Sequence, residues 1–146
     1  AVYNEWNQLF VDTIRATGGK NDKRFLLVNT YAASAGSEER KAFMLPDDPA
    51  DHILVGVHCY TGYEDIEKTF SGLEDFTDQY PVLIGEWGLS KQNKDVSRTE
   101  YTQRFMEYAK KSNIPTVLWD DGGNYAYMNR ESAGWYEQKS VDIITK

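Results

Sequence analysis

Pro81-Val82-Leu83-Ile84-Gly85-Glu86-Trp87-Gly88 reads as a buried strand that ends on a carboxylate. The apolar run is too short for a helix and is opened by a proline, so length and punctuation both favour a strand. A carboxylate directly after a buried strand is costly unless it is paired or hydrogen-bonded. Taken alone, the stretch admits two readings: a strand-end ion pair, or a chemical group held at the end of a sheet.

The same grammar recurs outward from it. Short apolar runs over 25–30, 53–60 and 116–119 predict three more strands. Helical periodicity separates them. Trp6, Leu9, Phe10, Thr13 and Ile14 recur at helical spacing until Gly18-Gly19 stops the run. A short helix is expected over 38–43, ended by Pro46. Ile66, Phe70, Leu73 and Phe76 share one face of a helix over 66–79. A long helix over 97–112 has Ser97 as its cap, and a last one covers 137–144.

Strand and helix alternate four times with no hairpin signal, at intervals of about thirty residues, the size of a βαβ step. That pattern predicts a parallel sheet. Each strand closes on a polar or aromatic residue: Tyr31, then His58 and Tyr60, then Glu86, then Trp119 and Asp120. Because side chains alternate, Leu54, Gly56, His58 and Tyr60 should share one face. Val82, Ile84 and Glu86 should occupy the equivalent face of their own strand. A stripe that is apolar along the strand and functional at its C-terminal end is the layout of a (β/α)₈ barrel. The expected fold class is α/β, a parallel (β/α) half-barrel formed by residues 1–146 as a single segment.

Composition narrows the function. A net charge of −7 without a basic cluster disfavours nucleic acid. No apolar run is long enough to span a bilayer, and Asn4, Glu5 and Asn7 interrupt any signal-peptide core at the start. Cys59 is the only cysteine, which rules out an internal disulfide and a cysteine-based metal site. His52 and His58 lie too far apart on one strand face to chelate together, and Asp47, Asp48 and Asp51 read as a solvated loop, so neither metal nor cofactor is expected. Aromatic residues make up 14% of the chain, which suits a sugar cleft as well as a tyrosine-rich core, because pyranose C–H groups pack flat on π-faces.

His58 and Tyr60 tilt the reading of Glu86 towards chemistry. A histidine alone is more often a core residue. Here imidazole and phenol share a face two residues apart, and the next strand delivers Glu86. A phenol that donates to a carboxylate favours its charged form and fixes its orientation, as a nucleophile requires. Trp119 ends the last strand, where it is either barrel-top packing or a platform under a sugar ring.

Several segments, in order, carry a family resemblance: Phe10-Val11-Asp12-Thr13-Ile14-Arg15-Ala16-Thr17-Gly18-Gly19, Asn29-Thr30-Tyr31-Ala32-Ala33-Ser34, Val57-His58-Cys59-Tyr60, Ile84-Gly85-Glu86-Trp87-Gly88 and Leu118-Trp119-Asp120-Asp121-Gly122. Together they resemble glycoside hydrolase family 5, the cellulase group of barrel enzymes. The resemblance implies a retaining endo-β-1,4-glucanase acting on β-glucan outside a bacterial cell. Glu86 would be the nucleophile, with His58 and Tyr60 as its hydrogen-bonding partners. Trp119 would lie beneath the sugar, and Asn29, Tyr31, Trp87 and Asp120 would be further substrate contacts. Asp121 stands where relatives often have Asn, and Trp87 where Phe is common.

The family's general acid/base glutamate belongs to an Asn-Glu-Pro motif after the fourth strand. Asn4-Glu5 imitates it, but Trp6 replaces the proline and no strand precedes it. Glu5 reads instead as the first turn of a helix, where an acid suits the macrodipole. A whole barrel takes about 250 residues, so the resemblance places this chain at strands five to eight. Its expected partner is the N-terminal half-barrel or a second copy of itself. Three other readings are set against this one: a half-barrel that binds carbohydrate without cleaving it, a β-sandwich binding module, and a doubly wound nucleotide fold. The helices weigh against the sandwich, and no Gly-rich turn follows the first strand to support the last.

Overall fold

A computed structural model describes residues 2–146. Helix α1 (Val2–Ala16) leads into strand β1 (Leu26–Ser34), helix α2 (Ser37–Ala42) and strand β2 (Ile53–Cys59). Helix α3 (Ile66–Thr77), strand β3 (Val82–Trp87), helix α4 (Arg98–Lys111) and strand β4 (Thr116–Leu118) follow. The chain closes with short strands β5 (Met128–Asn129) and β6 (Gly134–Trp135) and helix α5 (Gln138–Ile144). Strands β1 to β4 form one sheet in sequence order, every pair parallel.

The core lies between one face of that sheet and the helices. Val55, Val57 and Ile84 are fully buried there, against Ile66, Phe70 and Leu73 of α3 and Tyr101 and Phe105 of α4. The spacing of 66, 70, 73 and 76 places four apolar side chains on one side of α3, and all four are buried. The Phe70 and Phe105 rings meet edge to face at 5.1 Å and tie the two helices together. Helix α4 starts from a capping box: Ser97 accepts from the Glu100 N–H, and the Glu100 side chain reaches back to the Ser97 N–H.

The opposite face of the sheet has no covering layer among the described residues. Leu27 and Val117 are 42% and 51% exposed there. Helix α1 buries only Asn7 and Val11 and leaves Trp6, Leu9 and Phe10 in solvent.

Two departures from the expected pattern matter. Val57 pairs with Ile84, yet His58 pairs with Glu86, so Gly85 is an extra residue opposite no partner. Strand β4 registers the same bulge, since Ile84 and Trp87 face Thr116 and Leu118. Val82, Ile84 and Glu86 therefore do not share a face. Val82 and Ile84 point to the helices, and Glu86 turns to the open side. A larger irregularity occurs in β1, where Asn29 pairs with Gly56 but Ser34 with His58. Ala32 and Ala33 absorb it with φ of 52° and 51°, in the left-handed region. The second departure is the β5–β6 hairpin, which pairs Met128 with Trp135. Two-residue strands are too short to show any alternation in sequence.

Candidate active site

Glu86 is held at the C-terminal end of β3 by the strand beside it. The Tyr60 hydroxyl donates to Glu86 Oε2 at 2.9 Å, and His58 Nδ1 lies 3.2 Å from the same oxygen. Among the described residues, Oε1 takes no protein hydrogen bond. One carboxylate oxygen is thus anchored and the other is free, on a side chain 26% exposed to solvent. The Tyr60 phenol is pushed above its usual range, first by burial of its hydroxyl and then by the bond to Glu86. It stays protonated and remains a donor.

The residue after β4 extends the ladder: the Trp119 N–H donates to the Trp87 carbonyl at 2.9 Å. Trp119 itself is 40% exposed. On the β1–β2 side, a cleft of about 540 Å³ opens between Gly36, Arg40, His58, Tyr60, Thr61 and Lys68. The partners of Glu86, His58 and Tyr60, thus line that cleft.

The other expected contacts fare differently. Trp87 is corrected: it is fully buried, stacked on Phe105 at 4.2 Å with the rings 6° apart, so it is core and touches no substrate. The bulge at Gly85 is the cause, because it hands the open face to Glu86 and the helix face to the next residue. Asp120 accepts backbone N–H groups from Gly122, Tyr127 and Met128, with Arg130 nearby. Burial alone would raise its carboxyl, but these donors outweigh burial and hold it below the usual carboxylate range. Asp121 likewise accepts from the Gly123 and Tyr125 N–H groups. Both acids fold the loop after β4 and have little left for a sugar.

Asn29 lies deeper on the open face, in register with Gly56, and a Cβ on Gly56 would come within 2.1 Å of its Oδ1. Tyr31 is exposed and lies edge-on to Tyr3 at 5.7 Å. Asn4 donates to the Ala42 carbonyl and accepts from the Met44 N–H, and Glu5 is exposed in the first turn of α1. That Asn-Glu pair fastens a helix to a loop.

Tyr125 is the site residue that sequence reading missed. Its ring meets Tyr60 edge to face at 5.4 Å and passes over Gly88, where a Cβ would be 3.3 Å away. The signal available was Asp120-Asp121-Gly122-Gly123, a turn-forming run that folds the following residue back over the sheet. Among the described residues, no group of three or more His, Cys, Asp or Glu is arranged to hold a metal.

A parallel strand–helix sheet that gathers a carboxylate, an imidazole and a phenol at its C-terminal edge is an arrangement suited to acid–base or nucleophilic chemistry. The model of the cellulases, glycosyl hydrolase family 5, matches residues 1–124, and the chain belongs to that family. Endoglucanase B of Ruminococcus albus is 33% identical over 99% of this chain, which covers 41% of that protein. A solved broad-specificity endoglucanase from Ruminococcus champanellensis, with bound cellotriose, is 31% identical with a TM-score of 0.88, covering 99% of this chain and 49% of its own. A Bacteroides ovatus xyloglucanase in complex with a heptasaccharide superposes with a TM-score of 0.84 at 25% identity, covering 99% of this chain and 40% of its own. The chain thus spans about half the length, or less, of these relatives, and its four strands are half of a barrel.

Proposed function

We propose that this chain is the C-terminal half of a retaining endo-β-1,4-glucanase and supplies its nucleophile, Glu86. One observation carries the reading: Tyr60 and His58 meet Glu86 at Oε2 alone and leave Oε1 free. In the reaction, Oε1 attacks the anomeric carbon of a β-glucan. The glycosidic bond breaks, and the leaving oxygen takes a proton from a general acid. Water then displaces Glu86 from the glycosyl-enzyme, giving up its proton to that same group. Anchoring one oxygen limits carboxylate rotation, so the attacking oxygen starts near its reacting geometry. Trp119 packs under the sugar ring, and the cleft by His58 takes the neighbouring unit. The bound cellotriose of the relative supports a glucan as ligand.

The general acid comes from the other half-barrel. Retaining chemistry needs a second carboxylate at about 5–5.5 Å, and Asp120 and Asp121 are committed to backbone donors. The uncovered sheet face and the exposed Trp6 and Leu9 of α1 are where that half would pack. The enzyme acts outside the cell, where polymeric glucans are found.

The test is hydrolysis of a soluble β-glucan by the chain alone and by the chain joined to the four-strand half its relatives carry. Alongside it, a 2-fluoro glycoside trap would be followed by peptide mass spectrometry. Activity in the joined barrel only, with the adduct on Glu86, is expected. An adduct on another residue would refute the assignment, and sugar binding without turnover in the joined barrel would leave a carbohydrate-binding half-barrel as the better reading.

A further inference from the structure

Behind the Tyr60–Glu86 pair lies a buried arrangement that the hydrolytic reading does not use. Arg98, in the first turn of α4, is only 8% exposed, yet it pairs with no carboxylate among the described residues. Its Nη1 donates to the Ala126 carbonyl at 2.7 Å and its Nη2 to the Tyr125 carbonyl at 3.2 Å. The guanidinium centre lies 3.5 Å from the centroid of the buried Tyr127 ring. One turn along, the fully buried Tyr101 donates its hydroxyl to the Thr61 carbonyl at 3.0 Å.

A buried cation without a counter-ion is a poor way to gain stability, and an apolar side chain of similar volume often serves as well. What the guanidinium adds is direction: its planar fork fixes two successive carbonyls at once. Those carbonyls belong to the residue whose ring meets Tyr60 edge to face and to its neighbour. The Thr61 carbonyl held by Tyr101 directly follows Tyr60 in the chain. Helix α4 therefore grips both loops that converge on Tyr60, and its own start is locked by the Ser97–Glu100 box.

We propose that Arg98 and Tyr101 are positioning residues for the nucleophile, acting through Tyr125 and Tyr60 on the orientation of the Glu86 carboxylate. The inference rests on Glu86 being the attacking group. It adds that the aim of that group is set from the N-terminal turn of α4, with no contact to substrate.

The experiment is a double-mutant cycle in the joined barrel, with Arg98→Met, Arg98→Lys, Tyr101→Phe and Tyr60→Phe assayed on a soluble β-glucan. Removing a hydrogen bond to a charged group lowers kcat roughly ten- to a hundredfold for Tyr60→Phe. Arg98→Met should lower kcat by roughly tenfold with KM unchanged, because aim affects the transition state and not ground-state binding. Combined with Tyr60→Phe it should cost little more than Tyr60→Phe alone. Arg98→Lys, which keeps the charge and can donate from its single ammonium but lacks the planar fork, should recover part of the loss. Losses that multiply in the double variant, or a change in KM alone, would overturn the proposal. Where Arg98→Met does not fold, Tyr101→Phe removes a single hydroxyl and carries the same cycle. Undiminished hydrolysis by Glu86→Gln would instead strike at the nucleophile assignment, which separates the two failures.

Discussion

Glu86 stands opposite His58 across the β2–β3 ladder, one residue out of step with the Val57–Ile84 pair beneath them. That offset, created by Gly85, turns a carboxylate that strict alternation would send into the helix layer towards the open face. It also sends Trp87 the other way, into the stack with Phe105.

Deleting Gly85 should therefore do more damage than substituting it. Deletion restores strict alternation, drives Glu86 into the apolar layer and expels Trp87, and burying an unpaired charge costs several kcal/mol. The deletion variant is expected to lose cooperative unfolding. Gly85→Ala should stay within about 1 kcal/mol of the parent, since its Cβ would meet only ordinary contacts, at 3.8 Å from His58. Urea unfolding followed by tryptophan fluorescence distinguishes the two.

Trp87 and Trp119 should part company. Trp87→Ala empties a fully buried site and should cost about 3–5 kcal/mol. Trp119→Ala removes a half-exposed ring and should change stability by no more than about 0.5 kcal/mol. It should weaken binding of a cello-oligosaccharide, as measured by calorimetry in the joined barrel. Equal stability losses in the two variants would contradict the burial difference.

Gly56 is required by Asn29. An alanine there would place Cβ within 2.1 Å of Asn29 Oδ1 and 3.3 Å of Leu27 Cδ1. Gly56→Ala is expected to destabilise by about 1–3 kcal/mol. Adding Asn29→Ala should restore most of that, because the main obstacle is one side chain. A denaturant series on the single and double variants measures the coupling.

Acid stability should report on Asp48. Its carboxylate accepts from Arg15 Nε and Nη2, at 2.7 and 2.8 Å, together with the Ala50 and His52 N–H groups. The Arg15 bond is the leading cause that holds it well below the usual carboxylate range, against an opposing effect of burial. A depressed folded-state value means the contribution is complete above the unfolded value of about 3.9 and fades as pH falls below it. Asp48→Asn should be less stable near neutrality and should lose less than the parent between about pH 4 and 2. Parallel pH profiles for the two would refute this role.

Much of this was readable from local pattern. Ile66, Phe70, Leu73 and Phe76 announced α3 because a helix repeats every 3.6 residues whatever lies next to it. Ser97 announced the start of α4 because a cap acts within the first turn; its partner Glu100 is supplied by the structure. The Tyr60–Glu86 hydrogen bond was foreseen because both residues close parallel strands that follow one another in the chain. Asp120, by contrast, could not be assigned from its neighbours: its partners Tyr127 and Met128 lie seven and eight residues on, across an irregular loop.

By itself the sequence determined a parallel strand–helix succession and set Glu86, His58 and Trp119 at strand ends, since those are properties of spacing along one chain. The tertiary structure decided which side chains face the site. A bulge exists only as a mismatch between two strands, so no periodicity within 82–87 could show that Gly85 has no partner. Nor could it show that Glu86 is outward, Trp87 is core, and Tyr125 returns over Gly88 to meet Tyr60. These depend on pairing between distant segments, where packing and hydrogen bonding choose among faces that local propensity leaves equivalent.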